Sequence, residues 1–191
     1  MRLFAAIKLP LDAEDVLDAL LEGLPEGRPV PPENMHVTLA FLDECNRHVA
    51  ADLDAGLAAI HGTAPELCLD GLGMFGEGRP RVLYAALRSD PALTRLREKV
   101  LRVAHDAGVP QRRERFTPHV TIARFSNGAG RGPRMSSWLA ARAGLRWGPR
   151  QVSEFSLFRS DLGSGGPVYT ELARYSLDDR AGANAWSETG G

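Results

Sequence analysis

The tripeptide His-Val-Thr occurs twice in this chain, at residues 36–38 and 119–121, in two similar settings. RLFAAIKL precedes a helical pattern and then MHVTLAFL, while RVLYAALR precedes a helical pattern and then PHVTIARF. After each tripeptide come a further helix and two strands with a Gly-rich turn, GEGRP in one half and GSGGP in the other. This repeat predicts two copies of one strand–helix–strand–helix–strand unit.

Apolar periodicity divides the chain into short strands and amphipathic helices. The strands are predicted at Arg2–Leu9, Met35–Leu42, Leu67–Phe75, Arg81–Arg88, Pro118–Phe125, Val152–Arg159 and Val168–Leu177. The helices are predicted from a cap at Asp12 to about Gly23, from a cap at Asn46 to about Ile60, at Pro91–Ala107 and at Arg134–Ala143. The Gly- and Pro-rich stretch 23–34 is expected to be loop, and residues 178–191 are expected to be a disordered tail.

The two repeated units predict the fold class. We expect an α+β protein with two lobes related by a pseudo-two-fold axis, in which antiparallel sheets from both lobes line a central cleft and the helices lie outside. Residues 1–177 are expected to form one such domain. The length and the apolar fraction of 43% suit a globular domain and exclude general disorder.

Each His-Val-Thr segment places two polar side chains on one face of a strand. Side chains alternate along a strand, so His36 shares a face with Thr38, and His119 shares a face with Thr121. If a two-fold axis relates the halves, the two pairs face each other across one cleft. One neutral imidazole can then take a proton from a nucleophile while one imidazolium protonates a leaving oxygen. Threonine hydroxyls and an arginine can hold phosphoryl oxygens without a metal.

The two segments HVTLAFL and PHVTIARF resemble the paired H-x-T-x motifs of the 2H phosphoesterase superfamily. More narrowly, the chain is similar to the bacterial RNA 2′,3′-cyclic phosphodiesterases, also called 2′-5′ RNA ligase-like proteins. The similarity extends from the opening RLFAAIKLP through FTPHVTIAR to EFSLFRSDLGSGGPVYTEL. It implies opening of a terminal 2′,3′-cyclic phosphate to a 2′-phosphomonoester, without metal or cofactor. It also implies these site residues: His36 as proton donor, His119 as proton acceptor, and Thr38, Thr121 and Arg124 as phosphate-binding residues.

Arg124 follows His119 by five residues, and Phe41 stands at the equivalent place after His36. By strict alternation, Arg124 points to the face opposite His119. It reaches the phosphate only if the strand bulges or ends before it, or if the side chain curls around the edge. A solvated arginine at the end of a strand is the alternative.

Charge is uneven although the net charge is only −1. Residues 1–70 carry 4 basic against 13 acidic residues, whereas residues 111–150 carry 9 arginines against the single Glu114. The basic stretch is expected to guide an RNA backbone, with Phe116 or a nearby aromatic residue stacking on the terminal base. The arginines in question are Arg112, Arg113, Arg115, Arg131, Arg134, Arg142 and Arg146.

The remaining composition limits the compartment and the assembly. Two cysteines exclude a disulfide scaffold, and the chain lacks an apolar run of membrane-spanning length. We therefore expect a cytoplasmic protein without membrane contact, acting on RNA ends or nucleotides that carry a 2′,3′-cyclic phosphate. We expect a monomer, because the duplication supplies within one chain what a dimer would provide.

Other functions remain open at this point. The same site suits 2′-5′ RNA ligation, or hydrolysis of 2′-5′-linked oligonucleotides or of a small cyclic nucleotide. A non-catalytic module that recognises RNA ends is the alternative from another class, although a binder does not need two proton-transfer groups.

Overall fold

The structure is a computed structural model that describes residues 1–76, 78–111, 115–126, 129–163 and 166–177. Its strands are β1 Arg2–Lys8, β2 Arg28–Pro29, β3 His36–Glu44, β4 Glu66–Phe75, β5 Val82–Leu87, β6 His119–Arg124, β7 Arg146–Gln151, β8 Glu154–Gly163 and β9 Gly166–Ser176. Its helices are α1 Leu11–Leu20, α2 Arg47–Ala58, α3 Pro91–Asp106 and α4 Pro133–Arg142, and a 3-10 turn spans Pro32–Asn34. The expected disordered tail, 178–191, lies outside the described residues.

The strands form one sheet in the order β7-β4-β5-β6-β3-β1-β8-β9, with β2 paired to β6. Neighbouring strands are antiparallel throughout the described part of this sheet. The two His-Val-Thr strands, β3 and β6, are neighbours in the middle, where Val37 pairs with Val120. The predicted α+β class with an antiparallel arrangement is confirmed, and its two halves meet in the centre of one sheet.

The internal repeat is visible in the strand order. β1 and β3 of the first copy mirror β5 and β6 of the second copy about the middle of the sheet. The strands that follow exchange sides, because β4 pairs with β5 while β8 pairs with β1. Each half of the sheet therefore contains strands from both copies of the repeat, which joins the halves more firmly than the short contact between β3 and β6.

The core covers one face of the central strands. Val37, Leu39 and Val120 are at most 2% exposed, and α3 packs against β3 from this side. The apolar stripes of the helices are buried as well, with Leu17 of α1 and Leu57 of α2 fully inaccessible. Burial of each such side chain contributes about 2 kcal/mol. Because this face is filled, the histidines and threonines of β3 and β6 point to the other.

One of the two predicted helix caps is present. The Asn46 side chain accepts hydrogen bonds from the backbone N–H groups of His48 and Val49, at 2.9 and 3.0 Å, and begins α2. The predicted cap at Asp12 is wrong: α1 follows Pro10, which makes no side-chain cap bond. Asp12 lies in the first turn, where the positive helix end favours a carboxylate, and it accepts a hydrogen bond from Arg150 at 2.8 Å.

Two strands have no counterpart in the sequence-based assignment. β2 lies inside the stretch 23–34, which was expected to be loop, and pairs with the end of β6. β7 carries Gly148 and Pro149 and lies exposed at the sheet edge beside β4. β2 has only two residues, and β7 buries little of its surface. Neither segment therefore shows the alternation of apolar and polar residues that predicts a strand.

Candidate active site

A bulge in β6 lies directly after its threonine. Thr121 pairs with Tyr84 of β5 and Ala123 pairs with Leu83, so Ile122 is the extra residue between them. Ile122 and Ala123 are both fully buried, whereas a regular strand would turn them to opposite faces. The bulge therefore reverses the alternation of side chains after Thr121.

This reversal turns Arg124 toward the face of His119, and both line one cavity. Alternation alone predicted the opposite face for Arg124. Of the three ways in which Arg124 could reach the face of His119, the structure shows the bulge. β3 has the same irregularity against β1, with Leu39 as the extra residue. Phe41 consequently lines the cavity too, as the counterpart of Arg124. The sequence repeat thus includes the bulge itself.

The register between β3 and β6 brings the two polar pairs together. Its paired valines, described above, point into the core, so the residues on either side of them point away from it. In an antiparallel pair these neighbours lie crosswise, which sets His36 beside Thr121 and Thr38 beside His119. Each imidazole therefore has the threonine of the other strand next to it.

Both imidazoles are held in the same way by the chain that precedes them. His36 Nδ1 lies 2.7 Å from the carbonyl oxygen of Asn34, and His119 Nδ1 lies 2.7 Å from the carbonyl oxygen of Thr117. A carbonyl can only accept, so the neutral imidazole carries its hydrogen on Nδ1. The Nε2 atom of each ring is left for acid–base chemistry.

Aromatic rings enclose both histidines. The centroid of the His36 ring is 4.9 Å from that of Phe4, and Tyr169 meets His36 edge-on at 5.3 Å. The His119 ring has Phe75 at 4.9 Å and Tyr84 at 5.3 Å, again edge-on. These contacts restrict rotation of the imidazoles and remove water from one side of each ring.

Burial shifts the protonation of both histidines toward the neutral form. It lowers the pKa of His36 to about 4, although the bond to Asn34 raises that pKa, and the positive charges of Arg124 and His119 lower it further. Burial also lowers the pKa of His119, opposed by its bond to Thr117. At neutral pH, burial therefore favours the uncharged form of both rings, most strongly for His36.

The cavity over the middle of the sheet has a volume of about 160 Å³. All five residues that the sequence indicated line it: His36, His119, Thr38, Thr121 and Arg124. The opposite wall comes from two segments that the sequence did not indicate, the chain before β3 and the start of β9 with Tyr169. The cavity can thus present two imidazoles, two hydroxyls and a guanidinium to one small group.

Arg28 is a further cation in this cavity. It lies on β2 directly opposite Arg124 of β6. Within the described ranges of the chain, neither guanidinium forms an ion pair or a side-chain hydrogen bond. Like charges in directly opposed positions are unfavourable unless an anion lies between them. The sequence did not indicate Arg28, because this residue lies in a Gly- and Pro-rich stretch before the first His-Val-Thr segment. The pairing of β2 with β6 brings it to the site.

Other described residues that the sequence assigned to RNA binding lie outside this cavity. Phe116 lies outside this cavity and lines a neighbouring groove together with Arg115. Arg142 donates hydrogen bonds to the carbonyl oxygens of Leu20 and Glu22, and Arg146 pairs with Asp70 at 2.9 Å. These two arginines thus have structural partners. Arg112 and Arg113 lie outside the described residues.

The described ranges contain no cluster of three or more His, Cys, Asp or Glu side chains arranged to hold a metal ion. No helix in them has the length and apolar character needed to cross a bilayer.

The antiparallel α+β fold, with a His-Val-Thr segment on each of its two central strands, agrees with the resemblance to the two-histidine (2H) phosphoesterases. The model of the 2′-5′ RNA ligase superfamily matches residues 12–163 of this chain. The chain belongs to this superfamily and is an enzyme of the two-histidine class.

Individual relatives agree with this assignment. The chain is 37% identical to the RNA 2′,3′-cyclic phosphodiesterase of Thermus thermophilus, with coverage of 93% of this chain and 90% of the relative. It is 32% identical to the RNA 2′,3′-cyclic phosphodiesterase of Escherichia coli, with coverage of 92% and 96%. Among solved structures, E. coli LigT complexed with 3′-AMP superimposes with a TM-score of 0.76 at 30% identity, covering 92% of this chain and 97% of that one.

Proposed function

We propose that this chain hydrolyses the terminal 2′,3′-cyclic phosphate of RNA to a 2′-phosphomonoester. The observation that carries the proposal is the pair of imidazoles that line one cavity, each fixed through Nδ1 to a backbone carbonyl. An RNA end-binding module would not need two such groups. The names of the relatives in Thermus and E. coli support the same reaction.

In the proposed reaction, Nε2 of His119 takes a proton from a water molecule. The water oxygen attacks the cyclic phosphorus in line with the 3′ oxygen, and the bond from phosphorus to that oxygen breaks. Nε2 of His36 gives its proton to the departing 3′ oxygen, so the phosphate remains on the 2′ position. One proton is taken and one is given, and the two histidines exchange their protonation states.

The side chains around the cavity meet the charge on the phosphoryl oxygens. The hydroxyls of Thr38 and Thr121 donate hydrogen bonds, and Arg124 provides a charged donor on the same side. Arg28 adds a second guanidinium from the opposing strand. With two guanidiniums available, the scheme needs no metal ion. Both halves of the site come from one chain, so we also infer that the active form is a monomer.

The protonation of His36 depends on the substrate in this scheme. With a pKa of about 4 for the protein alone, about one molecule in a thousand carries the His36 imidazolium at pH 7. A phosphate anion beside the ring favours the charged form and raises the pKa. The negative substrate thus supplies the condition under which His36 becomes a proton donor.

Hydrolysis of an oligoribonucleotide with a 2′,3′-cyclic phosphate end tests the proposal. His36→Ala and His119→Ala are each expected to lower kcat by about 10²–10⁴-fold. His105→Ala is the matched control, because its imidazole is exposed on α3 and does not line the cavity. The product should carry a 2′-phosphate. Near-normal turnover in either cavity variant, or a 3′-phosphate as the product, contradicts the proposed mechanism.

A further inference from the structure

A second depression lies on the other side of His119. This groove, of about 640 Å³, is much larger than the catalytic cavity of about 160 Å³. The two are adjacent, because Thr38, Phe41 and His119 line both of them. Whatever fills the groove therefore lies directly beside the proposed base.

The groove and the catalytic cavity have different walls. The catalytic cavity is lined by the chain before β3, by β9 and by the end of β6 with Arg124. The groove is lined by Gln111, Arg115 and Phe116 before β6, by the end of β4 with Phe75 and by the end of β3 with Phe41. The two depressions therefore meet at His119 and extend over different segments of the chain.

The lining of the groove has the composition of a single-stranded nucleotide site. Among the described residues, the groove is lined by the basic Arg97 and Arg115 and by the carboxylate of Asp43. The Arg97 guanidinium lies over the Phe116 ring at 4.7 Å from its centroid. Phe75 adds a second aromatic side chain and is 37% exposed. Aromatic faces beside arginines are the arrangement on which single-stranded bases stack and phosphates bind.

The wall of the groove is held in place by a long-range bond. Gln111 Nε2 donates to the carbonyl oxygen of Phe41 at 3.2 Å, across 70 positions of sequence. This bond ties the chain before β6 to the end of β3. At the catalytic cavity, the backbone N–H of Val30 donates to the carbonyl oxygen of Ile122 at 2.9 Å and ties the chain before β3 to β6. A hydrogen bond thus ties a wall of each depression to the central strands, from a side chain in the groove and from the backbone in the cavity.

We propose that this groove binds a second nucleotide unit of single-stranded RNA, beside the nucleotide whose cyclic phosphate lies between the histidines. This inference rests on the proposed function, because it takes His119 as the base. The unit comes either from the same strand, as the neighbour of the terminal nucleotide, or from a second strand that presents its 5′-hydroxyl to His119.

The second source implies a defined reaction. The 5′ oxygen takes the place of water: His119 accepts its proton, the bond from phosphorus to the 5′ oxygen forms, and the bond to the 3′ oxygen breaks. His36 protonates the 3′ oxygen, so a 2′-5′ phosphodiester results with no further reactant. Occupation of the groove by the same strand leaves water as the nucleophile.

Substitutions in the groove test the proposal with two substrates. We compare kcat/KM for a trinucleotide and for a mononucleotide, each with a 2′,3′-cyclic phosphate. Arg115→Ala removes an exposed charge, and Phe116→Leu removes the aromatic face while retaining apolar volume. Each is expected to lower the ratio of the trinucleotide value to the mononucleotide value by about tenfold. Arg95→Ala, an exposed arginine of α3 that does not line the groove, should leave the ratio unchanged.

A binding measurement, compared with the substrate ratio and with product analysis, separates the two sources. Fluorescence anisotropy with a 5′-hydroxyl trinucleotide that lacks a cyclic phosphate should show weaker binding in Arg115→Ala and Phe116→Leu. If these variants lose binding of that strand and any 2′-5′-linked product while the substrate ratio stays constant, the unit comes from a second strand. If the ratio falls, whether or not binding of that strand falls with it, the groove holds the neighbour of the terminal nucleotide in the same strand. An unchanged ratio together with unchanged binding overturns the inference, even where the wild type hydrolyses both substrates. Absence of hydrolysis of either substrate by the wild type contradicts the proposed function instead.

Discussion

Acidification tests how strongly the fold buries His36. Burial lowers the pKa of His36 to about 4 in the folded protein, whereas an exposed histidine in the unfolded chain has a pKa near 6.5. Between these two values the unfolded chain binds a proton that the folded chain does not. The free energy of unfolding therefore rises with pH through this interval, and this contribution is complete above about pH 6.5. It is lost as the pH falls toward 4.

The size of the loss follows from the difference between the two pKa values. That difference corresponds to about 3 kcal/mol of unfolding free energy. Carboxylates titrate over part of the same interval in every variant. The pH dependence of the unfolding free energy is therefore compared between the wild type and His36→Gln, so that the carboxylate contribution cancels. The wild type should lose about 3 kcal/mol more than His36→Gln between pH 7 and pH 4.

Urea denaturation at a series of pH values measures this difference directly. The contribution of His119 is present in both proteins and cancels. His105→Gln is the matched control, because its ring is 84% exposed, and its curve should follow that of the wild type. Parallel curves for the wild type and His36→Gln would refute the reasoning, since His36 would then titrate as an exposed residue.

Further predictions concern the cations, the hydroxyls, the metal requirement and a helix cap. Arg124→Gln should raise the pKa of His36, because a neighbouring positive charge is removed, and should lower kcat/KM about tenfold or more. Histidine NMR titration measures the pKa, and steady-state kinetics measure kcat/KM. An unchanged pKa of His36 contradicts the placement of Arg124 beside it. Thr121→Val keeps the shape but removes a hydroxyl, so kcat should fall about tenfold at an unchanged melting temperature. Extensive treatment with EDTA should leave hydrolysis intact, and activity that returns only with an added metal contradicts the scheme. Asn46→Ala should cost about 1 kcal/mol in thermal unfolding without changing kcat, whereas a stability equal to that of the wild type would show that the cap is not needed.

The central features of the fold follow from the repeat in the sequence. The two His-Val-Thr strands could be recognised because each combines alternation with an unusual polar pair, and the duplication placed them in equivalent positions. The helices around Leu57 and Val100 were visible from apolar spacing alone. In these segments the local pattern and the tertiary environment agree, which is why the sequence was informative.

What could not be predicted depends on contacts between distant segments. The orientation of Arg124 is set by a bulge, and a bulge is a property of two paired strands rather than of one. Arg28 reaches the cavity only because β2 pairs with β6, and nothing in its own neighbourhood indicates a strand. The groove beside His119 likewise combines the ends of β3 and β4 with the chain before β6. Sequence patterns describe single elements well and their junctions poorly.

The central claim is that the imidazoles of His36 and His119 bind one phosphoryl group between them. NMR titration of both rings, free and with a saturating nucleoside 2′-monophosphate, measures this most directly, with the signals assigned from the two alanine variants. The account predicts that the nucleotide raises the pKa of both histidines together. A response confined to one ring, or binding that moves neither, would contradict it.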